Sequence, residues 1–126
     1  MNVEQLKQLA RQVVQHSYSP YSRFPVAAAY CDEDGRVFTG VNVENASYGL
    51  SFCAERNAIC SAISQGSRTI HTLVVYTPTS APTPPCGACR QFIREFSASA
   101  RVISICDSDR VLDTTIAELL PASFQL

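Results

Sequence analysis

Cys53-Ala54-Glu55-Arg56 and, later in the chain, Pro85-Cys86-Gly87-Ala88-Cys89-Arg90 place thiols in two separate segments. If the three sulfurs serve one ion, the fold must bring those segments together, and no other pattern in the sequence constrains it as strongly. Three protein ligands leave the fourth tetrahedral position of a zinc ion open, which is the layout of a catalytic centre rather than a structural one. Glu55, two residues from the first thiol, supplies a carboxylate that need not be a ligand.

The elements around these segments can be read from apolar spacing. Val3, Leu6, Leu9, Ala10, Val13 and Val14 recur at helical intervals behind Asn2, a capping residue type, so an amphipathic helix is predicted over 3–16. Val26–Cys31 and Arg36–Val43 are rich in strand formers and are joined by Asp32-Glu33-Asp34-Gly35, an antiparallel hairpin. A loop over 44–52 leads to a helix over 53–65, stopped by Gly66. Ile70–Tyr76 reads as a buried strand, Pro78–Pro85 as a rigid loop, Gly87–Ser97 as a helix and Arg101–Cys106 as a further strand. Asp107–Asp109 forms a turn, Val111–Thr114 is an undecided fifth strand, and Ile116–Leu120 carries a short helical pattern before Pro121. A hairpin followed by alternating strands and helices implies an α/β fold, a mixed sheet covered by helices. Both thiol segments open helices, where the positive end of the helix dipole stabilises thiolates.

A chain of 126 residues is expected to form one domain over 1–126, and 46% hydrophobic with 17% charged residues is ordinary for a globular protein. The net charge is −1 and Lys7 is the only lysine, so no basic stripe is available for nucleic acid. The segment from Met1 to Gln15 is interspersed with polar residues and no run reaches membrane-spanning length; neither a secretory leader nor a membrane partner is expected, and a cytoplasmic location is. In such a reducing compartment the six cysteines act as free thiols or metal ligands rather than as a disulfide framework. Cys31, Cys60 and Cys106 lie in apolar stretches and are expected to be core residues.

The Cys86-x-x-Cys89 pair alone is compatible with a redox pair, half of a zinc ribbon or two packed thiols. Adding Cys53 at a second helix start favours the open zinc site. Cys60 is a poor substitute, because seven residues at a rise of ~1.5 Å separate it from Cys53 by roughly 10 Å. A structural-zinc or redox module would need a fourth ligand, for which Cys31 and Cys106 are the spare strand thiols. Neither His16 nor His71 is required as a ligand. Three thiolates on Zn²⁺ leave a net negative centre that acidifies water weakly, and Arg56, one helical turn after Cys53, is placed to offset that charge. Glu55 is placed to move protons between water and substrate. Asn42 and Glu44, two apart at a strand end, can direct an amide and a carboxylate to one spot, a pairing suited to hydroxyl groups.

These residues resemble the cytidine deaminase family in its short form with three zinc-binding cysteines. The resemblance extends to Ser19-Pro20-Tyr21-Ser22-Arg23-Phe24-Pro25-Val26, to Thr39-Gly40-Val41-Asn42-Val43-Glu44-Asn45-Ala46-Ser47-Tyr48-Gly49 and to Glu118-Leu119-Leu120-Pro121, and so spans most of the chain. It implies a three-layer α-β-α fold on a sheet of about five strands and one Zn²⁺ per chain. It also implies hydrolytic deamination of cytidine and deoxycytidine, with zinc-bound hydroxide attacking C4 and Glu55 shuttling protons. By the same resemblance Asn42 and Glu44 hold the ribose, Ala46 and Tyr48 belong to the substrate wall, and Phe24 packs on the pyrimidine. Phe124 matches the aromatic that closes a neighbouring subunit's pocket, which implies a homotetramer. Scarce lysine and the acidic Glu44 favour a free nucleoside over a nucleotide, with other cytosine-like nucleosides, such as a nucleoside antibiotic, as the alternative substrate class. One departure is Ala27, where the family commonly has Gly; its extra methyl is expected either to tighten strand packing or to trim the pocket.

Overall fold

The computed structural model describes residues 1–126. Helix α1 covers Val3–Val13 and begins with a full capping box: Asn2 Oδ1 accepts from Gln5 N at 2.9 Å, and Gln5 Oε1 accepts from Asn2 N at 3.0 Å. Its last predicted turn, Val14–His16, tightens to a 3₁₀ helix. Strands β1 (Ala27–Cys31) and β2 (Val37–Val41) form the antiparallel hairpin, whose turn Gly35 permits at a φ of +84°. Helix α2 covers Ala54–Ser64, β3 Thr72–Tyr76, α3 Gly87–Phe96, β4 Arg101–Ile105, β5 Val111–Thr115 and α4 Ile116–Leu119. The undecided strand is therefore formed; it pairs antiparallel with β4 and is fastened by Arg101 and Asp113, whose charged atoms approach to 2.6 Å.

The sheet order is β2-β1-β3-β4-β5, with β3 and β4 parallel and every other pair antiparallel. Alternation along the strands divides the core in two. Ala27, Ala29, Val74 and Ile103 meet Leu6 and Ala10 of α1 on one face. Ala28, Tyr30, Leu73, Val75 and Val102 meet α2, α3 and α4 on the other. The result is the expected α-β-α sandwich, and no helix is long and apolar enough to cross a membrane. Ala27 is fully buried beneath α1, on the face away from α2, so its methyl tightens the sheet layer.

Cys31 and Cys106 are buried as expected, but Cys60 is exposed. Helix α2 turns Ala54, Ala58, Ile59 and Ala62 to the core, and Cys60 falls outside that stripe although Ala58, Ile59 and Ala62 close to it in sequence are apolar.

The small residues on α2 let it lie directly on β2. A Cβ built at Gly40 would sit 2.4 Å from Ala58 N and 2.5 Å from Ala54 O, both rigid helix backbone atoms. Relieving that overlap requires lifting the helix that starts at Cys53. Gly40→Ala is therefore expected to destabilise the protein by about 1–3 kcal/mol or more, as overpacked cores do. Urea unfolding checks this, and a midpoint equal to wild type would show that α2 is not seated on Gly40.

Candidate metal centre and substrate pocket

The backbone brings the two thiol segments together at the N-termini of α2 and α3. Cys53 is the N-cap of α2 and Cys86 the N-cap of α3, and Cys89 lies in the first turn of α3. Neither cap side chain is spent on its own helix, so both thiols are free to act as ligands beside unpaired backbone N–H groups. The three Sγ atoms lie within 4.8 Å of one another. Tetrahedral bonds of about 2.3 Å to zinc set sulfur separations of about 3.8 Å, and Cys53 Sγ and Cys86 Sγ are 3.8 Å apart. The donor set fits zinc. No other His, Cys, Asp or Glu atom joins the cluster, which leaves a structural four-ligand site without its last member. Cys106 Sγ instead packs 3.3 Å from Ser108 Oγ, and Cys31 lies in the core beneath α1.

Arg56 is where the charge argument requires it. Its Nη2 donates to Cys53 Sγ at 3.6 Å, and its guanidinium carbon lies 5.2 Å from the centre of the Phe52 ring, which holds the side chain over the thiol. The neighbouring Cys89 thiol, helped by Arg56, lowers the Cys53 thiol below its usual range against the upward push of burial. Cys89, hydrogen-bonded to Cys53 and buried, is held well above the usual thiol range. Glu55 follows Cys53 by two residues and is only 4% exposed. Burial is the main cause that pushes its carboxyl up to about 7.

Glu55, Cys53 and Cys86 line a cavity of about 280 Å³ together with Phe24, Asn42 and Glu44, so six residues singled out in the sequence share one pocket. Asn42 and Glu44 have structural duties as well. Asn42 Oδ1 accepts from Val26 N at 2.9 Å and Nδ2 donates to Phe24 O at 2.9 Å, which pins the segment entering β1 to the end of β2. Glu44 Oε1 accepts from Tyr21 N at 3.0 Å and Ser22 N at 3.1 Å, and Oε2 accepts from the Ser22 hydroxyl. That Ser22 hydroxyl bond is the largest influence holding the Glu44 carboxyl below its usual range. Glu44 is thus an anion on the pocket wall.

The remaining candidates lie outside this cavity within one chain. Tyr48 is 75% exposed and lines an adjoining hollow beyond Glu44 with Tyr21, Ser22 and Ser51. Ala46 is exposed on the same loop. Phe124, 69% exposed, sits in a separate hollow with Gln91 and Arg94. Conversely, Val26, Phe52, Val75 and Thr83 were not singled out and do form pocket wall. Phe52 could have been noted as the residue before the first thiol, and Val75 as the last residue of β3 but one, facing α2.

The family model for the zinc-binding region of cytidine and deoxycytidylate deaminases matches residues 1–105. The chain belongs to this family of zinc-binding deaminases. It is 41% identical to a cytidine deaminase of Sporosarcina psychrophila over 98% of this chain and 92% of that protein. It is 42% identical to a cytidine deaminase of Halalkalibacterium halodurans over 98% of this chain and 95% of the other. The crystal structure of cytidine deaminase from Burkholderia pseudomallei superposes with a TM-score of 0.94 at 41% identity, covering 98% of this chain and all of that one.

Arg56→Gln removes the cation while keeping a polar side chain of similar reach. The variant is expected to purify with zinc yet turn over about tenfold or more slowly. Metal analysis beside steady-state kinetics tests this, and turnover equal to wild type would remove Arg56 from the centre's charge balance.

Proposed function

We propose that the chain catalyses hydrolytic deamination of cytidine and deoxycytidine to uridine and deoxyuridine, a pyrimidine-salvage reaction. The observation that carries this reading is the buried Glu55 beside three mutually close thiols, in one pocket with Asn42 and Glu44. The family match and the cytidine deaminase relatives support it. Zinc held by Cys53, Cys86 and Cys89 supplies, when bound, a Lewis acid that makes a water nucleophilic near neutral pH.

Glu55 then accepts a proton from the water that attacks C4 and passes it to ring N3; it next takes the remaining proton from the new C4 hydroxyl and gives it to the departing amine, so that the C4–N bond breaks, ammonia leaves and the C4 carbonyl forms. Its burial keeps bulk water from competing for those protons. Phe24 packs on the pyrimidine ring, and Asn42 and Glu44 offer an amide and a carboxylate to the sugar hydroxyls. No Lys, Arg or His lines the pocket, while Glu44 is anionic, so a phosphate group finds repulsion and no cation. A free nucleoside is the substrate, and cytidine monophosphate is turned over poorly.

The 126 residues work as one domain, and the thiol ligands suit a reducing cytoplasm. A homotetramer completes the pocket: Phe124 of a neighbouring copy closes it, and Ala46 and Tyr48 take part where subunits meet. The exposed rings of Tyr48 and Phe124, with Tyr18, Tyr21 and Phe52, support such contacts.

Incubation of the zinc-loaded protein with cytidine should release uridine and ammonia in equal amounts, and no product from protein carrying one zinc per chain would defeat the reading. Glu55→Gln is expected to retain its zinc and lose at least about 10²-fold in kcat; an active variant would remove Glu55 from the mechanism. Phe124→Ala should raise KM for cytidine with zinc content unchanged, and sedimentation of wild type should give the mass of four chains. A monomer with full activity would exclude the shared pocket.

A further inference from the structure

The Thr83 hydroxyl, on the pocket wall, belongs to none of these roles. Thr83 lines the cavity with Glu55 and Cys53, and three residues later the same segment provides Cys86. Its wall neighbours Phe24, Val26 and Val75 offer no hydrogen bonds from their side chains. Behind it, Thr83 Oγ1 lies 3.4 Å from the Oγ1 of Thr77, a fully buried side chain. Thr77 Oγ1 is in turn 2.8 Å from Thr79 Oγ1, and Thr79 donates its hydroxyl proton to Ala81 O at 2.8 Å.

Each hydroxyl has one proton, so this chain has a direction. With the Thr79 proton on Ala81 O, the 2.8 Å contact between Thr77 and Thr79 must use the proton of Thr77. Thr77 is then left with lone pairs only, and Thr83 can meet it only as a donor. The Thr83 proton is drawn inward across that 3.4 Å contact, and the hydroxyl has only lone pairs left to offer to other groups.

We propose that Thr83 is a specificity-determining residue, an acceptor aimed by Thr77 and Thr79 that favours the cytosine amine over the uracil carbonyl. The inference rests on the deaminase reading given above. The two rings differ at C4: the substrate carries an N4 amino group, a donor, and the product an O4 carbonyl, an acceptor. A fixed acceptor beside that position pairs with the first and faces the lone pairs of the second. Thr83 thereby aids substrate capture and discourages product from staying. Thr77 and Thr79 are positioning residues that act through it.

The test compares wild type, Thr83→Val, Thr83→Ser and Thr77→Val as zinc-loaded enzymes, reading KM for cytidine and the calorimetric Kd for uridine. Thr83→Val keeps the side chain's shape and is expected to raise KM for cytidine by about fivefold, the worth of one neutral hydrogen bond, with uridine affinity equal or tighter. Thr83→Ser should remain within about twofold of wild type in both. Thr77→Val frees the Thr83 rotor to donate, so uridine should bind more tightly while cytidine changes little. Zinc content and thermal midpoint verify that each variant is folded. Equal shifts for cytidine and uridine in Thr83→Val, or no shift in either, would overturn the proposal. Failure of wild type to release ammonia from cytidine counts against the deaminase reading instead, and the calorimetric comparison of the two nucleosides still judges Thr83.

Discussion

The seating of α2 on a glycine is the contact on which the rest of the site depends. Without a Cβ at position 40, the helix backbone at Ala54 and Ala58 comes down directly onto β2. That height sets where the helix begins, and the helix begins at Cys53. Helix α3 is placed by the parallel pair β3 and β4 and the loop that joins β3 to it, and packs in the same core layer as α2. The metal centre is the meeting of these two placements, which set Cys53 Sγ and Cys86 Sγ 3.8 Å apart. A backbone packing detail thus becomes a condition for chemistry.

The site is also economical in polar groups. Asn42 both ties the segment entering β1 to the end of β2 and faces the pocket, and Glu44 does the same for the preceding loop through Tyr21 and Ser22. The loop that carries Phe24 is consequently held by the same two side chains assigned to the sugar. Any ligand that repositions Asn42 or Glu44 also shifts Phe24. Charge is arranged with similar thrift: Arg56 is the cation against the thiols, and Phe52 keeps it there.

Much of this was legible in the sequence. The capping residue Asn2, the Asp32–Gly35 hairpin and the alternation of strands and helices identified the layers, and the spacing of Cys53, Cys86 and Cys89 identified the ligands because helix starts have directional chemistry. What was not legible depends on distances between distant segments. Nothing local marks Gly40 as the seat of α2, since its reason is a backbone some fifteen residues on. Cys60 looked buried because Ala58, Ile59 and Ala62 lie close to it in sequence, but burial on a helix follows the face and not the run. Val111–Thr114 could not be decided because an edge strand with three exposed residues lacks the apolar alternation that identifies strands. The separation of Phe124 from the pocket of its own chain likewise has no local signature.

The segment between β3 and α3 contains Pro78, Pro82, Pro84 and Pro85, which have fixed φ and no N–H to lend to a backbone ladder. Its cohesion comes instead from the threonine hydroxyls and from Asp107 N, which donates to Thr79 O at 2.8 Å. Few conformations remain to such a segment even in the unfolded chain. Cys86 and Cys89 are therefore delivered on a stiff arm rather than a flexible one, and little conformational entropy is left to lose when they close on an ion. Prolines that never touch the metal thereby add to the grip of the sulfurs that do.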